Sequence, residues 1–208
     1  MHYNVAVLVS GRGSNLEAIL RAVEKGRINN ARVTVVVSNK KGVRALEVAR
    51  RYGVPTEVVE SSGFKGSREE YDRLVTRALE RHGITDSEGI VVLAGFMRIL
   101  SPEFVARYRD RIINIHPSLM PAFPGMDAQK QALEYGAKVA GCTVHFVVNE
   151  LDAGPVILQR AVPVMEGDDV DSLSARILVQ EHRILPEAIR LLAEGKVRVE
   201  GRRVEIST

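Results

Sequence analysis

The 208-residue sequence has one cysteine, no tryptophan and only 5 % aromatic residues. The lone Cys142 excludes an internal disulfide framework and any cysteine-rich metal site, and we interpret it as a small apolar residue within a strand. No stretch approaches the roughly 18 consecutive apolar residues that a membrane-spanning helix needs. Residues 1–10 lack the basic and apolar regions of a signal peptide. We therefore expect a cytoplasmic protein with a mainly aliphatic core and no membrane partner.

A strong net charge is also absent. Lys and Arg number 29 against 26 Asp and Glu, so the formal net charge is +3. The basic residues are scattered over predicted helices and do not form the basic run with interleaved aromatics that is typical of nucleic-acid binders. This balance favours small, anionic molecules as substrates and argues against a nucleic-acid partner. A monomer and a homodimer both remain open.

Short β-branched runs alternate with amphipathic stretches over the first half of the chain. The predicted strands cover residues 4–10, 31–39, 54–60, 89–96 and 111–116. The predicted helices between them cover about 16–26, 43–52 and 67–83, the last opened by a capping-box pattern at Ser67 and Glu70. Because the strands are apolar throughout and β-α-β units repeat, we predict a mostly parallel sheet with helices on both faces.

The second half follows a different pattern. The apolar runs at 141–148 and 155–164 are separated by too few residues for a crossover helix, so we expect them to pair antiparallel. A long helix is predicted over about 169–194, with a kink at Pro186. A terminal hairpin turning at Glu200-Gly201 follows it. Since there is no repeat or linker, residues 1–208 are predicted to form a single α/β domain.

Three polar clusters follow predicted strands, where open α/β sheets bind their ligands. The first is SGRGSNL, residues 10–16. Its two glycines let the backbone approach a ligand, and the amides at the start of a helix favour a phosphate. A dinucleotide fingerprint would need glycine where Leu16 stands, so the cluster predicts a monophosphate site. The alternative is a simple glycine turn in which Ser14 caps the helix.

The second cluster is AGFMRIL, residues 94–100, followed by Ser101-Pro102 at the start of another helix. Its apolar side chains at a loop are suited to lining a pocket for a flat aromatic ligand. Packing in the core explains them equally simply. From the residues alone, core packing is the preferred interpretation.

The third cluster lies in INIHPSLMP, residues 113–121. Asn114 and His116 share one side of a strand because side chains alternate with a period of two. Asp152, in an Asp-Ala-Gly-Pro turn, is the best candidate for a carboxylate that orients the imidazole. An amide and an imidazolium directed at one point would stabilise an oxyanion. The alternative is a strand-end histidine with an aspartate turn cap, and His145 is interpreted as a structural residue.

These motifs resemble, in the same order, the phosphoribosylglycinamide formyltransferases of purine synthesis. The matching segments are VLVSGRGSNLEAI, VSNK, AGFMRILS, NIHPSLMPAFPG and ELDAGPVILQ. HPSLMP is shared with other folate-dependent formyl transferases. SGRGSNL narrows the resemblance to the phosphoribosylglycinamide formyltransferases. The resemblance implies one Rossmann-like formyltransferase domain. It would place the nucleotide phosphate in about residues 1–100, and folate and catalysis in about 101–208.

The resemblance also implies a role for individual residues. Gly13, Ser14 and Asn15 would hold the phosphate of glycinamide ribonucleotide, and Glu181 would bind its glycinamide end. The catalytic residues would be Asn114, His116 and Asp152. The residues implied for 10-formyltetrahydrofolate are Arg68, Met97, Arg98, Ile99, Leu100, Asn114, Glu150, Leu151 and Asp152. Asp127, Gln129 and Leu178 depart from the family pattern.

The reaction implied by the resemblance is direct attack of the nucleotide amine on the formyl carbon of 10-formyltetrahydrofolate, a co-substrate, without a metal. The absence of a serine or cysteine in a nucleophile elbow agrees with direct attack. Two alternatives remain. One is another 10-formyltetrahydrofolate-dependent formyltransferase or a deformylase, and the other is a non-catalytic sensor of nucleotides or folates.

Overall fold

The computed structural model describes residues 2–207, over which strands and helices alternate. In chain order the elements are β1 (Tyr3–Val9), α1 (Ser14–Glu24), β2 (Ala31–Ser38), α2 (Arg44–Arg51), β3 (Thr56–Val58), α3 (Arg68–Glu80), β4 (Ile90–Leu93), α4 (Pro102–Arg107), β5 (Ile112–His116), α5 (Ala128–Tyr135), β6 (Val139–Phe146), β7 (Val156–Pro163), α6 (Val170–Ala193), β8 (Val197–Glu200) and β9 (Arg203–Ile206).

Seven of the strands form a sheet in the order β3-β2-β1-β4-β5-β6-β7. Strand β1 pairs in parallel with β2 and β4, and β2 pairs in parallel with β3. Strands β6 and β7 pair antiparallel, and β8 and β9 form a separate antiparallel hairpin. The predicted α/β class, with a mostly parallel sheet and antiparallel C-terminal strands, is confirmed. The hairpin turns at Gly201 and Arg202, one residue later than predicted, because Glu200 still pairs with Arg203.

The chain divides into two compact units, with the boundary between Ile113 and Asn114 inside β5. In the first unit, Ala6–Val9 of β1 are completely buried. The strand lies between β2 and β4 and is covered on both faces, which explains its unbroken apolar sequence. The predicted division of substrates near residue 100 stays a prediction.

The first unit contains a topological switch point. The chain runs from β1 to β2 and β3 on one side, and then returns to β4 on the other side of β1. In such sheets, ligands bind in the crevice outside the carboxyl ends of the two strands at the switch. The glycine-rich loop follows β1, and the segment from Ala94 follows β4. Two of the three predicted clusters therefore lie at one edge.

The ends of several elements differ from the predictions for local reasons. Strand β4 ends at Leu93, and Gly95 has a positive φ of 73° that takes the chain out of the extended conformation. Helix α5 was not predicted, because its eight residues bury only Ala128 and Ala132 and so carry little apolar periodicity. Helix α6 continues through Pro186. The expected kink stays a prediction.

No helix within residues 2–207 has the length and the apolar character needed to cross a lipid bilayer.

Candidate active site

The glycine-rich loop delivers the chain into α1. Gly13 is the N-cap of the helix, in the left-handed conformation, and no side chain caps the helix end. Ser14 is the first helical residue, so the alternative in which Ser14 caps α1 is wrong. The N–H groups of a first helical turn have no acceptor within the helix, and this favours an anion at the helix start.

The two glycines of this loop differ in their surroundings. A Cβ atom at Gly13 would lie 2.7 Å from the Cα atom of Ala45 in α2, and its φ is +79°. Glycine is therefore required at this position by close packing as well as by backbone conformation. A Cβ atom at Gly11 would meet no atom within 4 Å. The loop therefore has open space beside Gly11, whereas the space beside Gly13 is occupied by Ala45.

The segment from Ala94 to Leu100 divides into buried and exposed side chains. Phe96 and Leu100 are buried, so core packing is confirmed for them. Met97 and Ile99 are 63 % and 61 % exposed, and for these two the core interpretation is wrong. Exposed apolar side chains at the carboxyl end of β4 are the expected lining of a ligand site.

Arg68 and Arg98, two residues predicted to bind folate, both affect the pKa of the Asp72 carboxyl group. Arg68 is the first residue of α3, after the predicted capping box of Ser67 and Glu70, which is confirmed. Burial raises the pKa of Asp72, and the positive charges of Arg98 and Arg68 oppose that shift. The guanidinium carbon of Arg98 also lies 3.9 Å from the centre of the Tyr71 ring, a cation–π contact.

The second unit brings together the three residues predicted to be catalytic. Asn114 and His116 lie on β5, and Asp152 lies in the loop after β6. The Nδ1 atom of His116 is 3.4 Å from Oδ2 of Asp152, and the two side chains are only 5 % and 8 % exposed. The predicted pairing of His116 with Asp152 is confirmed. Their roles in catalysis stay a prediction.

Both ring nitrogens of His116 face acceptors. Nε2 lies 2.8 Å from the carbonyl oxygen of Phe123, and a carbonyl can only accept, so Nε2 carries a proton. Nδ1 faces the carboxylate of Asp152, which also accepts the N–H of Gly125 at 2.8 Å. A proton on Nδ1 would therefore complete an ion pair between His116 and Asp152.

His145 also contacts this cluster, a contact that the sequence analysis did not predict. Its Nε2 atom lies 3.3 Å from Nδ2 of Asn114, and its Nδ1 lies 2.9 Å from the carbonyl oxygen of Phe146. The pairing of β6 with β7 shifts register between Val144 and His145, and the residue left unpaired is Ile157 of β7. The available signal was a polar residue in an otherwise apolar strand.

The protonation state of His145 follows from its partners. An amide nitrogen can only donate, so Nε2 of His145 accepts from Asn114, and its proton resides on Nδ1. Burial lowers the pKa of His145, against the opposing effects of the Phe146 carbonyl and of Asp152, 3.8 Å away. The neutral ring orients the amide group of Asn114. Only one hydrogen of the Asn114 amide group faces His145, so the other can donate to a ligand.

The remaining predicted site residues occupy the same unit. Glu150 and Leu151 are exposed in the loop before Asp152. Glu181 lies on α6 and is 7 % exposed. Burial, together with the negative charge of Glu181, raises the pKa of the Cys142 thiol to about 12. Cys142 is a buried residue of β6, as predicted. Among residues 2–207, no group of three or more His, Cys, Asp or Glu is arranged to hold a metal ion.

A mostly parallel α/β sheet that brings an amide, an imidazole and a carboxylate close together is suited to polarising a carbonyl group. Residues 3–189 match the formyl transferase family, and the chain belongs to that family. The resemblance found in the sequence is thereby confirmed.

Three individual relatives are similar to this chain over nearly its whole length. Phosphoribosylglycinamide formyltransferase of Escherichia coli is 47 % identical over 196 residues, which cover 94 % of this chain and 90 % of that protein. The trifunctional purine biosynthetic protein adenosine-3 of Gallus gallus is 49 % identical over 94 % of this chain, which spans only 19 % of that protein. The crystal structure of glycinamide ribonucleotide transformylase 1 from Symbiobacterium toebii is 50 % identical, with a TM-score of 0.94 over 100 % of this chain and 95 % of that one.

The two glycines of the loop give a matched test. Gly13→Ala is expected to lower the free energy of unfolding by at least about 1–3 kcal/mol, because alanine must adopt a positive φ and its Cβ collides with Ala45. Gly11→Ala should unfold like the native protein. Urea titrations followed by circular dichroism measure both, and equal losses in the two variants would contradict the assignment.

The neutral state of His145 predicts a pH effect on stability. Because burial lowers its pKa in the folded protein, protonation favours the unfolded chain, and stability is lost as the pH falls below the ordinary value of 6.5. His145→Gln removes this titration. Between about pH 7.5 and about pH 5.5 the native protein should therefore lose more free energy of unfolding than the variant. Parallel pH curves from urea unfolding would show that His145 is not held neutral.

Proposed function

We propose that this protein transfers the formyl group of 10-formyltetrahydrofolate to the amine of glycinamide ribonucleotide, a step of purine biosynthesis. The names of two relatives, phosphoribosylglycinamide formyltransferase and glycinamide ribonucleotide transformylase 1, support glycinamide ribonucleotide as the acceptor. The single observation that carries the proposal is the buried contact between the His116 imidazole and the Asp152 carboxylate. Asn114 lies two residues before His116 on β5.

The proposed reaction needs no covalent enzyme intermediate. The nucleotide amine attacks the formyl carbon, and the carbonyl oxygen becomes an oxyanion in a tetrahedral intermediate. The bond from that carbon to N10 of the folate then breaks, and one proton passes from the attacking nitrogen to N10. Binding both substrates in one site makes the attack effectively unimolecular.

Asn114 and His116 supply the donors for the oxyanion in this proposal. The amide of Asn114 is already oriented by His145, so its second hydrogen needs little reorganisation. The Nε2–H group of His116 donates to Phe123. Donation to the oxyanion therefore requires exchange of that hydrogen bond. Asp152 balances the positive charge on His116 and, through a water molecule, assists the proton transfer.

The substrates are assigned to the clusters as the resemblance implies. The uncapped start of α1, at Gly13, Ser14 and Asn15, takes the nucleotide phosphate, and Glu181 takes the glycinamide end of the nucleotide. The folate residues are Arg68, Met97–Leu100, Asn114 and Glu150–Asp152.

Removal of either oxyanion donor should abolish most of the turnover. For Asn114→Ala and His116→Ala we expect kcat to fall roughly 100- to 1,000-fold, with binding of glycinamide ribonucleotide retained. The absorbance change on folate deformylation measures kcat, and calorimetric titration measures nucleotide binding. Asn30→Ala, at an exposed asparagine of the first unit, is the control.

The same assay separates the alternatives. Near-native kcat in either variant would remove the assigned roles. Formyl release without the nucleotide would indicate a deformylase, and release only with another acceptor would indicate a different formyltransferase. Binding of both substrates without any formyl release would indicate a sensor.

A further inference from the structure

Ser10 joins two segments that are far apart in sequence. It follows the last residue of β1 and is buried. Its hydroxyl group donates to Oδ1 of Asn39 at 2.6 Å and accepts the backbone N–H of Met97 at 2.8 Å. Asn39 follows β2, and Met97 follows β4. The hydroxyl thus connects the carboxyl ends of three neighbouring strands.

The direction of these hydrogen bonds is fixed by Asn39. Its Nδ2 atom donates to the hydroxyl oxygen of Ser61 at 3.0 Å, so Oδ1 is the atom that faces Ser10. The single hydroxyl proton of Ser10 is therefore committed to Asn39, and a lone pair is left for Met97. Asn39 is itself buried, and hydrogen bonds in such surroundings are stronger than at the surface.

The segment that Ser10 holds has few other restraints. Met97–Leu100 lies outside regular secondary structure, and the side chains of Met97 and Ile99 are largely exposed. Beyond its far end, the N–H of Ser101 donates to Oδ2 of Asp72 at 2.6 Å. The Arg98 guanidinium rests on the Tyr71 ring. One backbone hydrogen bond near each end, the stacked Arg98 side chain and the buried Leu100 restrain the segment.

We propose that Ser10 is a positioning residue for the formyl donor. Through the N–H of Met97 it sets the backbone of Met97–Leu100, the segment assigned to 10-formyltetrahydrofolate, and the inference rests on that assignment in the proposed function. Ser10 is the first residue of the glycine-rich loop, yet its hydroxyl group bonds to Asn39 and Met97. Its effect should therefore fall on the donor and not on the nucleotide.

Ser10→Ala tests the proposal by its pattern of kinetic effects. Loss of the hydroxyl leaves the Met97 N–H without its acceptor, so KM for 10-formyltetrahydrofolate should rise roughly 5- to 20-fold. The kcat value and KM for glycinamide ribonucleotide should stay within about twofold of native. A purely structural role predicts equal changes in all three, or lower stability alone, and either result would overturn the proposal.

Two further variants sharpen the test. Ser38→Ala is the matched control, because Ser38 is a buried serine at the end of β2 whose hydroxyl donates to Lys40 of its own loop. It should leave KM for the donor unchanged. Ser10→Thr restores the hydroxyl and should recover most of the donor KM. A Ser38→Ala effect as large as that of Ser10→Ala would overturn the proposal.

Hydrogen exchange gives a readout that does not depend on turnover. Mass spectrometry of the peptide containing residues 94–101 should show faster exchange in Ser10→Ala than in the native protein and in Ser38→Ala. Unchanged exchange overturns the positioning role, whether or not the enzyme transfers formyl groups. Faster exchange with an unchanged donor KM overturns the link to the donor. If the native protein fails to formylate glycinamide ribonucleotide, calorimetric binding of tetrahydrofolate to the same variants still tests Ser10.

Discussion

The polar cluster of the second unit is organised around one buried carboxylate that lies between two imidazoles. Asp152 lies 3.4 Å from Nδ1 of His116 and 3.8 Å from Nε2 of His145. Its Oδ2 atom also accepts the N–H of Gly125 at 2.8 Å, and a buried carboxylate needs such partners. Burial lowers the pKa of His145, which favours the neutral ring, so its Nε2 atom can accept from Asn114.

The loops that hold this arrangement contain residues in a backbone conformation that residues other than glycine rarely adopt. Phe123 and Asp152 have positive φ values of 52° and 45°, a conformation that costs a non-glycine residue about 1–3 kcal/mol. A Cβ atom at Gly154 would lie 1.7 Å from the carbonyl oxygen of Phe146, so the loop after Asp152 is pressed against β6. The same strand supplies His145. Buried hydrogen bonds to Asp152 and His116 offset the strain at these positions.

The sequence predicted what depends on local periodicity. The period of two placed Asn114 and His116 on one side of β5, and the turn residues around Asp152 indicated its pairing with His116. The contact of His145 with Asn114 was missed because it joins residues 31 positions apart on different strands. The contact from Ser10 to Met97 spans 87 positions and exists only because β4 lies beside β1. Strand order is a tertiary property that periodicity does not encode.

Each unit contains a polar side chain, on a strand or directly after one, whose orientation is set by a hydrogen-bonding partner on or directly after the neighbouring strand. Asn39 fixes the hydroxyl of Ser10, and His145 fixes the amide of Asn114. Each partner has its own other hydrogen-bonding atom committed, to Ser61 and to Phe146 respectively. Only one assignment of donors and acceptors then remains. Dipoles oriented before the substrate arrives need no reorganisation when charge develops, and this is the property on which electrostatic catalysis depends.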